Sequence, residues 1–93
     1  MKKGTLSNGF KFSVNENSFD DMELLEALAE VDEGDVLKFR VVLTKLLGEK
    51  QKERLYDSLR DKKTGIVSAT KVGDALVEIL EIAGQEEEEG KNS

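Results

Sequence analysis

Cysteine and histidine are both missing from this chain of 93 residues. Without cysteine, disulfides, thiolate metal ligands and a cysteine nucleophile are excluded, and nothing indicates an oxidising compartment. Without histidine, the common zinc ligand sets and the usual general base are missing as well, so only carboxylate chemistry remains open. A long apolar run after the N-terminal lysines is also missing. We therefore expect no signal peptide, no membrane span and a soluble cytoplasmic protein.

Charge is abundant, and it alternates in blocks along the chain. The net charge is −6, and the blocks 1–14, 15–37, 38–63 and 64–93 carry +3, −9, +5 and −5. Adjacent acidic and basic segments attract each other when they pack, so one fold accounts for most of this pattern. A chain of this size buries only about 60% of its unfolded surface, which predicts modest stability unless it self-associates.

The first apolar pattern predicts a β-hairpin near the N-terminus. Residues 10–14 alternate between apolar and polar types, and they follow a Ser-Asn-Gly turn. A two-residue turn would place Leu6 opposite Lys11, whereas a three-residue loop with Gly9 in the left-handed region places Leu6 opposite Phe10. We favour the three-residue loop because it collects the apolar side chains on one face, which must then lie on the helices.

Four helices are predicted after the hairpin, and the second is the most apolar. Residues 36–47 of that helix are apolar nearly all round, which indicates burial by neighbours on two sides, although Leu37 and Val41 fall away from its main apolar face. The predicted N-caps of the first, second and fourth helices are Ser18, Asp35 and Ser68. The glycines predicted to end the same three helices are Gly34, Gly48 and Gly84. The expected fold class is α+β and mainly α, with an N-terminal β-hairpin packed on a small bundle of four helices.

Three kinds of chemical site are weighed and not favoured. The segment 61–68 has the look of a calcium loop, but Arg60, Lys62 and Lys71 would occupy ligand positions that need oxygen donors. The carboxylates between Asp20 and Asp35 suit helix capping and solubility better than catalysis or metal binding, so we expect no enzyme and no cofactor.

A DNA-binding function is the alternative that stays open. The second and third helices meet at Gly48 and carry several basic residues, as a helix-turn-helix regulator does. Against this, the sequence pI is about 4.7, and an acidic protein repels phosphate at long range.

Three segments carry a resemblance to a known family. Leu6 to Phe12 (LSNGFKF), Asp21 to Asp35 (DMELLEALAEVDEGD) and Leu46 to Asp61 (LLGEKQKERLYDSLRD) resemble the tail assembly chaperones of long-tailed, siphovirus-type bacteriophages and prophages. The resemblance covers roughly residues 4 to 83. It implies a non-enzymatic protein that keeps the tape-measure protein soluble, recruits tail-tube subunits and is absent from the mature virion.

Some members of that family act together with a longer form made by translational slippage. Codons for Lys91-Asn92 are a candidate slippery site, which the nucleotide sequence would test. We expect a disordered N-terminus at 1–3, one domain at 4–84 and a disordered acidic tail at 85–93. The predicted partner-binding residues are Leu37, Val41 and Tyr56, because the apolar stripes of the helices need them least.

Overall fold

An N-terminal hairpin packs on four α-helices, which confirms the expected fold class. The structure is a computed structural model that describes the backbone of residues 2–92 and the side chains of residues 2–84. The elements are β1 (Lys2–Thr5), β2 (Lys11–Val14), a 3-10 helix (Glu16–Asp20), α1 (Met22–Asp32), a 3-10 turn (Val36–Lys38), α2 (Phe39–Leu47), α3 (Glu49–Leu59) and α4 (Ala69–Asn92).

The hairpin has the predicted three-residue loop. The Leu6 amide donates to the Phe10 carbonyl over 2.8 Å, the Gly9 amide donates to the Leu6 carbonyl over 2.8 Å, and Gly9 has a φ of +92°. The first strand is longer than expected, because Lys2 pairs with Val14. Lys2 and Lys3 thus belong to the hairpin, within the segment 1–3 where disorder was expected; residue 1 lies outside the described residues.

The start of α1 also differs from the prediction. Asp21 is its N-cap, with one carboxylate oxygen accepting from the amides of Glu23 and Leu24 over 2.9 and 3.3 Å. Ser18 instead lies in the preceding 3-10 helix and donates its hydroxyl to the Lys45 carbonyl over 3.0 Å. A carboxylate held by the Lys45 ammonium, 2.9 Å away, is well placed to cap, and it outcompetes the serine three residues earlier.

One apolar core joins the hairpin to all four helices. The apolar face of β2 contributes to it, as do buried apolar residues of α2 and α4. The least accessible large side chains are Val14, Leu24, Val42, Leu43, Leu46, Leu55 and Ile79. Met22 and Leu25 of α1 are 65% and 43% exposed, because only one side of that helix meets the core.

The last helix continues beyond its predicted end. Gly84 lies within α4 and is not among the glycines with positive φ, so it does not form the left-handed C-terminal cap that we predicted. The predicted N-cap of α4 is confirmed, because the Ser68 hydroxyl accepts a hydrogen bond from the Lys71 amide over 3.3 Å. The disordered tail predicted at 85–93 falls where side chains are not described, and it stays a prediction.

Candidate functional site

Three large apolar side chains are exposed where the chain enters α2. Leu37 is 84% exposed, Val36 is 51% exposed and Val41 is 38% exposed. The predicted burial of this segment on two sides is therefore wrong for its N-terminal part, although Val42 and Leu43 are fully buried. A cluster of this kind on a small, highly charged chain is typical of a surface that contacts another protein.

Local hydrogen bonds hold Leu37 in this exposed position. Gly34 adopts a φ of +104° and reverses the chain after α1, as its sequence position predicted. Asp35 then accepts a hydrogen bond from the Leu37 amide through its carboxylate over 3.1 Å, and from the Lys38 amide through its carbonyl over 3.1 Å. The 3-10 turn that carries Leu37 is thus fixed by its own backbone, so exposure of the side chain is built into the fold.

Leu37 and Tyr56 line the same groove on the surface. In its first half, Val36, Leu37, Tyr56 and Val67 lie opposite Ala69 and Val72 of α4. In its second half, Leu28 and Val31 of α1 lie opposite Gly73, Leu76, Val77 and Leu80 of α4. Phe39 lines both halves, which enclose about 340 Å³ and 350 Å³. We call the two halves together the α4 groove.

The third predicted partner residue, Val41, lies in a separate hollow. That hollow is lined by Arg40, Val41, Thr44, Lys45 and Glu49, so it is much more polar than the α4 groove. Arg40 lines both depressions and is the residue that connects them. The structure therefore brings two of the three predicted residues together and places the third beside them.

Tyr56 is held in the groove by a buried lysine. The Lys52 ammonium lies 5.3 Å from the centre of the Tyr56 ring and forms ion pairs with Glu49 at 2.8 Å and Glu53 at 3.3 Å. The hydrogen bond to Glu49 raises the pKa of Lys52 above its ordinary value, although burial acts in the opposite direction. Lys52 therefore stays charged, and its cation–π contact fixes the ring orientation.

The loop before α4 supplies Val67 and behaves as a plain turn. One carboxylate oxygen of Asp61 accepts from the amides of Lys63 and Thr64 over 2.7 and 3.2 Å, and these bonds lower the pKa of Asp61. The Asp61 amide donates to the Ile66 carbonyl over 2.9 Å, which closes the loop. One oxygen of the Asp61 carboxylate is thus engaged with the backbone of its own loop.

Sequence reasoning missed the second half of the groove. Val77 is 54% exposed, and the available signal was an apolar residue outside the repeating apolar positions of α4. Phe39 is half-buried and lines both halves of the groove. Leu28 and Val31 are partly buried and line its second half.

Within residues 2–84, whose side chains are described, no three carboxylates lie close enough together to hold a metal ion. None of the described helices has the length and apolar character needed to cross a membrane. Comparison with known proteins gave no matching family model, no matching curated protein and no matching solved structure.

Proposed function

We propose that this chain is a tail assembly chaperone of a long-tailed bacteriophage or prophage. It binds the tape-measure protein and tail-tube subunits in the cytoplasm of the bacterial host, performs no catalysis and does not enter the mature virion. The observation that carries the proposal is the exposed apolar cluster of Val36, Leu37 and Val41. Such a cluster can cover apolar helices of a client that would otherwise aggregate.

The family resemblance names the client, and two of its three segments lie next to this surface in the sequence. LSNGFKF forms the hairpin loop, DMELLEALAEVDEGD forms α1 and the reversal that presents Leu37, and LLGEKQKERLYDSLRD forms the corner between α2 and α3. Two of the three segments thus flank the exposed cluster. The net charge of −6 helps to keep a complex with an apolar client soluble.

The DNA-binding alternative has less support, because intramolecular contacts engage basic residues of α2 and α3. Lys45 is paired with Asp21 at 2.9 Å, and Lys52 is 3% exposed and paired with Glu49. Phosphate binding needs accessible cations on one face, and these two lysines do not provide them.

Co-expression with a tape-measure fragment tests the proposal. The wild-type chain should raise the soluble yield of the fragment, and the double variant Leu37→Ser, Val41→Ser should lose this effect while keeping its helical circular dichroism. The matched control is Met22→Ser, Leu25→Ser, which removes two exposed apolar side chains from α1 and should behave as wild type.

Two results would contradict the proposal. One is a wild-type chain that leaves the fragment insoluble. The other is specific DNA binding at about 100 mM salt with a steep salt dependence, which would favour the regulator instead.

A further inference from the structure

The lining of the α4 groove follows one face of α4 over a length that suits a bound helix. Its α4 side is formed by residues 69, 72, 73, 76, 77 and 80, which recur at the three- and four-residue spacing of one helical face. Eleven residue steps at 1.5 Å span about 16 Å, or about three helical turns. Grooves of this kind bind amphipathic helices through side chains at the same three- and four-residue spacing.

Exposed apolar side chains stand along this groove where a partner would cover them. Leu37 is 84% exposed at one end, and Val77 is 54% exposed in the other half. Between them, the Phe39 ring lies against α4, since a Cβ atom built on Gly73 would be 3.3 Å from its Cζ atom. The absence of a side chain at Gly73 thus lets the Phe39 ring lie close to α4 at the middle of the groove.

The two ends of the groove carry opposite charge. The exposed Arg40 lines the end that contains Leu37, and the first turn of α4 adds the positive end of a helix dipole there. The exposed Asp32 and Asp74 line the other half, where α1 ends and adds the negative end of its dipole. A uniformly apolar partner would form no favourable charge contacts with either end of the groove.

We infer that the α4 groove binds an amphipathic helix of about three turns. The bound helix carries an anionic side chain next to Arg40 and a cationic side chain next to Asp32 and Asp74. Charge complementarity of this kind sets the direction in which a partner docks more than it sets affinity. This inference rests on the proposed function for the identity of the client, but it assigns the site and the class of client segment.

A synthetic peptide of about 15 residues tests the site directly. It carries leucines at three- and four-residue spacing, a lysine at one end and a glutamate at the other. Binding to the full chain is measured by fluorescence anisotropy. Val77→Glu and Leu37→Glu should each weaken binding at least about tenfold, because they place a carboxylate in an apolar contact.

The matched control is Met22→Glu, which adds the same charge at an exposed methionine on α1 that is not part of the groove. It should bind as wild type. Equal weakening by all three substitutions would show a general charge effect and would overturn the inference. So would undetectable binding of the peptide to the wild-type chain. A dimer of the free chain that the two groove variants abolish would also overturn it, since a second copy would then occupy the groove.

A charge exchange tests the polarity. Arg40→Glu should weaken binding of the peptide about two- to fivefold, the usual range for an exposed pair, and a peptide with lysine in place of its glutamate should recover the loss. Weakening without recovery would refute the assigned polarity.

The two proposals fail separately. If Val77→Glu loses the peptide but still solubilises the tape-measure fragment, the chaperone proposal survives and the groove is not its client site. If the groove binds the peptide but the wild-type chain does not solubilise the fragment, the groove inference stands and the proposed function fails.

Discussion

Replacing Gly4 with alanine should destabilise the fold, because this glycine is covered from two sides. A Cβ atom at Gly4 would lie 2.7 Å from Cζ of Phe12 and 2.9 Å from Cγ2 of Ile82. Phe12 is the cross-strand neighbour of Gly4 and is 5% exposed, while Ile82 belongs to α4. The contact therefore reports directly on the packing of β1 against α4, which the sequence did not predict.

The expected magnitude follows from two opposing effects. Overpacking a filled site costs about 1–3 kcal/mol, because the buried ring has to move. Alanine also restricts the unfolded chain and returns about 0.4–1 kcal/mol of stability. The net loss should be about 1–2 kcal/mol, which for a domain of this size lowers the melting temperature by about 5–10 °C.

Urea unfolding followed by far-ultraviolet circular dichroism measures this loss, and a double-mutant cycle assigns its cause. In an Ile82→Ala background, Gly4→Ala should cost less free energy of unfolding, since one of the two obstructing atoms is gone. Gly9→Ala is the matched control. It strains a residue at φ +92° that has no neighbour within 4 Å, so its cost should not change in the Ile82→Ala background.

A neutral or stabilising effect of Gly4→Ala would refute the reasoning. Equal losses in the wild-type and Ile82→Ala backgrounds would also refute it, because they would show that β1 does not pack on α4 as described.

Two further changes test the cap of α1 and the floor of the groove. Asp21→Asn keeps a capping oxygen but loses the Lys45 hydrogen bond that lowers the pKa of Asp21. A carboxylate whose pKa is lowered in the folded state stabilises the fold at pH values above the unfolded pKa of about 3.9. In acid-unfolding curves, the difference in stability between wild type and variant should therefore be constant near neutral pH and shrink below about pH 4. A difference that grows below about pH 4 would contradict this reasoning. Gly73→Ala should raise the free energy of unfolding in urea by about 0.5–1 kcal/mol, because alanine favours the helix and the half-buried Phe39 ring can move by a few tenths of an ångström. Destabilisation would show that the ring is held rigidly.

The hairpin shows which local structure could be predicted from sequence. A Ser-Asn-Gly turn and the alternation after it were enough to predict the Leu6 to Phe10 register, because turn geometry and one apolar face both favour it. The extension of β1 to Lys2 could not be predicted from its own residues, which are weak β-formers. It depends on distant partners: the Lys2 ammonium donates to the Ala83 carbonyl over 2.8 Å.

Helix caps show the same division between local and distant causes. Gly34, Gly48 and Ser68 act where predicted, because the backbone conformation or hydroxyl that each position needs is a local property. The choice of Asp21 over Ser18 depends on Lys45, which is 24 residues away in sequence, and sequence order alone does not reveal that contact.

The groove escaped prediction because it depends on how the helices are placed around α4. Periodicity can identify the apolar residues of a helix, but it does not show which of them a neighbouring helix covers. Leu76 is 2% exposed, whereas Val77, the next residue of the same helix, is 54% exposed. Both line the second half of the groove together with Leu28 and Val31 of α1. Gly34 reverses the chain after α1, and the turn that follows places Leu37 at the other end of the same groove.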